Sequence, residues 1–351
     1  MKFNFMNLPL SGLPYNNIQL CKQMMLRLYE NIPFLPELKL MDSKDNIIYR
    51  TFANIPALTI KDGKLLLPES NDEQIEFASY LFQKILASDK LSDFEKFGFD
   101  APYMEIYSAM LEKFEPEYTV IELIGPFSFA NMVFNKSASS LLTNQVYINY
   151  ICQAITVKAM WCVYKIKSIS PKTKPIILFN ENLLYKFGTL KRNNDSVTNE
   201  AAVSVLQKVF SKVRKAGAIV GVQSFQKCNW KLVFDTNSVD LISFDAYNNQ
   251  NNLNILAANV NKFLAKGGSI NWGIVPVTNE NVIRSLNVDN LYMKLENTME
   301  DLISSGVSSD LLFNNLTVSV QGNLTNYPIL FAEKALIIAN QLGKKVADNL
   351  K

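Results

Sequence analysis

Two textures alternate along the chain. Short apolar runs that stop abruptly at polar residues read as buried strands, and longer stretches with apolar residues every three or four positions read as helices. Strands are predicted near 3–10, 34–38, 119–124, 175–179, 218–224, 239–244, 269–275 and 316–320. The first helix carries Ile18, Leu20, Met24, Met25 and Leu28 at helical spacing after a capping Asn16 or Asn17. Further helices are predicted over 71–88 (capped by Asn71), 101–114, 141–166, 198–215 (preceded by Asp195–Ser196), 253–265, 289–305 and 328–343, with a helical turn starting near Asn229. Within 51–68, the run PALTIKDGKLLLP places two apolar segments around Asp62-Gly63, a hairpin signal.

Eight β/α steps predict a single (β/α)8 barrel domain spanning 1–351, with the 51–68 hairpin inserted on its surface. A doubly wound open sheet is the runner-up, but no glycine-rich dinucleotide turn follows the first strand.

Composition narrows the chemistry. Histidine is absent, which removes a His general base, a Ser-His or Cys-His dyad and His-ligated metal. The 35 basic and 32 acidic residues are dispersed, so no basic stripe predicts nucleic-acid binding. No run of 18 apolar residues predicts a membrane span, and the N-terminal stretch lacks a signal-peptide core. Cys21, Cys152, Cys162 and Cys228 show no C-x-x-C pairing, so a reduced, cytoplasmic chain is expected.

In a parallel α/β sheet, ligands bind at the carboxyl ends of the strands. The polar residues there are therefore the candidates. Asp245 and Glu181 are the candidate acid/base residues, although Asp245 also reads as the cap of the next turn and Glu181 as an ion-pair partner. Glu122 lies inside an apolar strand, where alternation points it inward or a salt bridge holds it. Gln223 and Gln321 read as ligand contacts or, since buried amides need partners, as partners of each other. Trp272 offers a flat surface for a ligand or packs on helices. Phe225, Ser128 and Tyr247, each just past a strand end, complete the predicted pocket. Cys228 is the thiol nearest the mouth, with nothing in its neighbourhood to lower its pKa.

The order of several segments resembles the C-terminal barrel of cobalamin-independent methionine synthase, a fold shared with uroporphyrinogen decarboxylase and corrinoid-linked methyltransferases. The matching pieces are Gly12-Leu13-Pro14, IPFLPELK (32–39), Ile124-Gly125-Pro126-Phe127, IILFNENLL (176–184), Val222–Trp230, Asp240–Tyr247, Trp272–Pro276 and Ser319–Leu324. The zinc-dependent members of that family activate a thiol with a metal held at three strand ends, by H-x-C, a carboxylate and Cys-Gly. By the resemblance those positions are Gln223 and Phe225, Asp245, and Gln321 before Gly322. Only Asp245 could ligate a metal well, because an amide oxygen is a poor zinc donor and a phenyl ring is none. The D-E-P-x-L turn is Asn180-Glu181-Asn182-Leu183-Leu184 here, and the decarboxylase's arginine segment is missing after the first strand.

The resemblance thus implies a methyltransferase-family barrel that has lost its thiol-activating zinc site and keeps a small-ligand pocket at the strand ends. No cofactor and no metal are expected. The alternatives are a zinc-independent methyltransferase with a folate or corrinoid donor and Asp245 or Glu181 as base, and a non-catalytic subunit that binds a corrinoid protein or a related partner.

Overall fold

The computed structural model describes the chain except residues 1–2, 4–5, 40–45, 62–63, 68–71, 100–103, 135–144, 187–197, 250–252 and 350–351. The chain begins with β1 (Gly12–Leu13), α1 (Ile18–Leu28), β2 (Glu37–Leu38) and α2 (Ile47–Phe52). Asn17 caps α1, its Oδ1 accepting from Gln19 N at 2.8 Å and Leu20 N at 3.2 Å. Next come β3 (Thr59–Lys61), β4 (Lys64–Leu66), α3 (Asp72–Ile85), α4 (Leu91–Phe94), α5 (Met104–Phe114), β5 (Tyr118–Ile124), α6 (Pro126–Met132), β6 (Val133–Phe134) and α7 (Gln145–Ile169). The second half repeats a strand–helix rhythm: β7 (Lys174–Asn180), α8 (Asn199–Lys215), β8 (Ile219–Ser224), α9 (Trp230–Asp235), β9 (Leu241–Phe244), α10 (Ala257–Ala265), β10 (Ser269–Val275), α11 (Glu280–Arg284), α12 (Val288–Ser304), α13 (Ser309–Phe313), β11 (Leu316–Val320) and α14 (Ile329–Asn349).

Six of these strands form a parallel half-barrel sheet in the order β11-β10-β9-β8-β7-β5. Its strands are buried on both sides, which explains their near-continuous apolar runs. The first extended segments attach at the two edges. Asn7 bridges in parallel to Val318 of β11, and Phe34 bridges in parallel to Val120 of β5. Between them β1 pairs in parallel with β2, Gly12 opposite Glu37.

Register sorts the side chains. Asn180, Gln223, Ser243, Asn271 and Thr317 are successive partners across the sheet and so share one face, here called inner. Glu122 is paired with Leu178, two residues before the row of Asn180, and lies on the same face. The outer face packs on helices. Phe179 meets Phe210 of α8 with ring centroids 5.1 Å apart, and Phe244 lies between Trp230 of α9 and Trp272 at 6.2 and 5.3 Å.

Two buried basic side chains hold loops to this core. Lys158 on α7 is fully buried and donates to the carbonyls of Ala53 (2.6 Å), Gly98 (3.3 Å) and Phe97. Arg50 donates to Leu35 O at 3.1 Å and Pro36 O at 2.6 Å, fixing the segment that leads into β2.

Several sequence expectations change. The hairpin around Asp62-Gly63 forms, with Thr59 opposite Leu66, but β4 also pairs in parallel with β6, so it belongs to a three-stranded sheet. Its expected first residues, Thr51 and Phe52, are helical. Just past the end of β5, Gly125-Pro126-Phe127-Ser128 opens a helix, because Pro126 at the first helical position has the required φ and lacks only an N–H that would be unpaired anyway. The last helix runs on through Gly343 to Asn349; a Cβ there would lie 3.3 Å from Met6, so the glycine admits the N-terminal segment instead of ending the helix. Helices α2, α4, α11 and α13 are not among those expected from the sequence. The Asn71 cap, the Asp62-Gly63 turn residues, the starts of the helices expected at 101 and 141, and Asp195–Ser196 lie outside the described residues. Among the described residues no helix is long and apolar enough to cross a membrane.

Candidate functional site

The inner face carries a buried polar network within β9, β10 and β11. Asn271 donates to Ser243 Oγ and Ser319 Oγ, both at 2.8 Å, and its Oδ1 accepts from Thr317 Oγ1 at 3.0 Å. Ser319 in turn donates to Val320 O at 2.8 Å. Every member has a partner. Gln223, in the same row, differs: it is fully buried, yet neither its Oε1 nor its Nε2 has a hydrogen-bond partner. Leaving a buried polar group unpaired costs about 1–3 kcal/mol. Its neighbour Asn180 accepts from Asn182 Nδ2 at 2.7 Å, and Asn182 Oδ1 accepts from Phe225 N at 2.9 Å.

Gln321 does not bond Gln223, contrary to the pairing expected from sequence. Its Nε2 donates to Asp245 Oδ2 at 3.0 Å and its Oε1 accepts from Val277 N at 3.2 Å. Asp245 also caps the turn that follows β9, accepting from Asn248 N at 3.0 Å, Asn248 Nδ2 at 2.9 Å and Asn249 Nδ2 at 3.3 Å. Its carboxylate is therefore engaged by four donors.

Glu122 faces inward from β5, and its Oε1 accepts from Ser11 N at 2.6 Å. Burial, reinforced by the nearby charge of Glu37, pushes its pKa up to about 7 against the opposing pull of Ser11 N–H and Arg50. Burial likewise raises Glu37, whose Oε2 accepts from Asn323 Nδ2 at 3.3 Å.

Glu181 lies elsewhere. It is fully buried at the N-terminus of α6, where its carboxyl accepts from Phe127 N (2.8 Å), Ser128 N (3.0 Å) and Ser128 Oγ (2.9 Å). A Cβ at Gly125 would sit 2.3 Å from Glu181 Cγ, so that glycine makes room for the acid. Burial raises Glu181 to about 7 even against these three donors. Ser128 thus serves Glu181, and neither is on the inner face. Cys228 is raised well above the usual thiol range by burial and then by Glu181, so it is held as a thiol.

Of the predicted pocket, Gln223, Glu122, Asp245 and Gln321 share the inner side. Phe225 meets it through its backbone N–H. Trp272 lies on the outer face, against Phe244, with its Nε1 unpaired. Tyr247 donates its N–H to Gly273 O at 3.2 Å, and Lys294 Nζ stands 4.5 Å from the centre of its ring.

The four positions aligned with zinc ligands do not fit the metal. Phe225 offers no donor atom, Gln321 and Asp245 are bonded to each other, and Gln223 brings a neutral amide. Among the described residues no three His, Cys, Asp or Glu side chains are grouped as a metal site. Sequence reasoning missed Ser11, Glu37, Arg50 and Asn271. For Asn271 the signal was present, a polar residue at the inward parity of an apolar strand; for the others the contacts are long-range. The chain matches no protein-family model and no curated protein.

Proposed function

We propose that the chain is a (β/α)8 barrel of the methionine synthase type, without a zinc site, that binds a small polar molecule at its strand ends through Gln223. Barrel closure is supported by the two edge bridges, Asn7 to Val318 and Phe34 to Val120, with β1 and β2 paired between them. The free state of four cysteines, all without disulfides, is consistent with a cytoplasmic protein.

One observation carries the ligand reading. Gln223 presents an unpaired donor and an unpaired acceptor on the inner face, beside a network in which every other amide is satisfied. A ligand with a complementary acceptor and donor recovers that cost on binding. The test is Gln223→Leu, which removes both polar atoms at similar volume. The apo protein is expected to become more stable by about 1–3 kcal/mol. A loss of stability would mean that Gln223 has partners within the fold, and the reading would fall.

A second reading, an active zinc-independent methyltransferase with a folate or corrinoid donor, is favoured at one point only. Glu122 is on the inner face and titrates near neutrality, as a general base should. Asp245 and Glu181 suit that role less well, the first because four donors engage it and the second because it belongs to α6.

A further inference from the structure

A cleft lies at the opposite, amino-terminal end of the same strands, before β9 and β10. It has a volume of about 240 Å3 and opens between the C-terminal turns of α9 and α10, beside the start of β9. At about 30 Å3 per water, that is room for roughly eight waters.

Its wall is aromatic. The rings of Phe234 and Phe263 lie 5.3 Å apart at 50°, and Phe263 rests on Gly268, where a Cβ would come within 2.6 Å of the ring. Its charge is mixed but not balanced. Asp240, one of its two acids, is held by Arg214 Nη2 at 2.9 Å and by Val220 N at 3.1 Å. Asp235, the other, pairs with Lys231 at 2.6 Å. Two lysines are then left over. Lys266 donates only to the neutral Asn237 Oδ1 at 2.9 Å, and Lys262 makes no hydrogen bond or ion pair among the described residues. Lysines near a helix C-terminus ease its partial negative charge, but that role needs no aromatic wall beside them.

We propose that this cleft binds an aromatic carboxylate, the ring lying against Phe234 and Phe263 and the carboxylate meeting Lys262 and Lys266. Aromatic ring surface and a patch of positive charge left over by the ion pairs occur together here, and a small aryl anion fits both.

Benzoate serves as the probe, titrated into the full chain by calorimetry, with benzamide and inorganic phosphate as comparators. Benzoate is expected to bind at one site, with benzamide and phosphate each at least about tenfold weaker. Lys262→Glu, an exposed change whose fold is checked by its unchanged unfolding midpoint, should weaken benzoate by a similar factor. Equal binding of benzamide would show that charge plays no part, and equal binding of phosphate that the ring plays none; either overturns the proposal. So does the absence of saturable benzoate binding, or full binding by folded Lys262→Glu.

Discussion

The side-chain amide of Gln321 donates to the carboxylate of Asp245 at 3.0 Å, tying the end of β11 to the end of β9 across β10. This bond occupies two of the positions that the resemblance aligns with metal ligands. One of the two acids that the sequence nominates for catalysis is instead the hub of a strand-end lock, also holding Asn248 and Asn249.

The lock predicts a cost for neutralising Asp245. Asp245→Asn keeps the shape but replaces one acceptor oxygen with a donor that faces the amides of Gln321 and Asn248. Loss of about 1–3 kcal/mol is expected, read as a lower urea midpoint with unchanged m-value. An unaltered midpoint would show that the carboxylate's four contacts add nothing to stability.

The aligned strand ends can be tested by restoring metal ligands. The triple change Gln223→His, Phe225→Cys and Gln321→Cys frees Asp245 of one partner and supplies three good donors. Near-stoichiometric zinc in the purified variant, against none in the parent, is the expected result of metal analysis. A folded variant that takes up no zinc contradicts the alignment.

Gly125 predicts a steric effect on α6. Gly125→Ala would place its methyl 2.3 Å from Glu181 Cγ and force the acid off the helix N-terminus. Overpacking of this kind costs about 1–3 kcal/mol, and the unfolding midpoint should fall accordingly. A neutral result would mean that Glu181 has a second position that fits.

Stability should also depend on pH through Glu122 and Glu181. Each has a folded pKa raised to about 7 from an ordinary carboxyl value of 4.5. Between those values the folded state binds more protons than the unfolded state. Their contribution is therefore complete below about pH 4.5 and is lost as pH rises through 7. Glu122→Gln keeps an acceptor for Ser11 N–H and removes one of the raised acids, so the decline of stability over this window should become shallower. An unchanged slope would show that Glu122 does not titrate there.

Much of the fold was legible in the sequence because periodicity is local. Apolar runs located the six strands of the main sheet, and the first helix's cap was narrowed to Asn16 or Asn17, of which the fold uses Asn17. The N-terminal edge was harder. Of the first strand, expected over 3–10, the described residues form a bridge at Asn7, and the ladder Gly12–Leu13 lies beyond it, because only tertiary neighbours fix where a short ladder forms. The pairing of β4 with β6 and the burial of Lys158 depend on contacts between distant segments and leave no local pattern.

The candidate site shows the same division most sharply in two acids. Glu181 and Asp245 look alike in sequence, each a carboxylate just past an apolar strand. Glu181 is one residue beyond the inward-facing Asn180, whereas Asp245 is two beyond the inward-facing Ser243. Since successive side chains leave a strand on opposite faces, that single step sends Glu181 to the helix layer and Asp245 to the inner side. The sequence by itself determined the residue types, the absence of histidine and the positions of the strand ends. Which carboxylate faces inward, which amide finds a partner and which is left without one were decided by strand register, a property of the assembled sheet and not of any one segment.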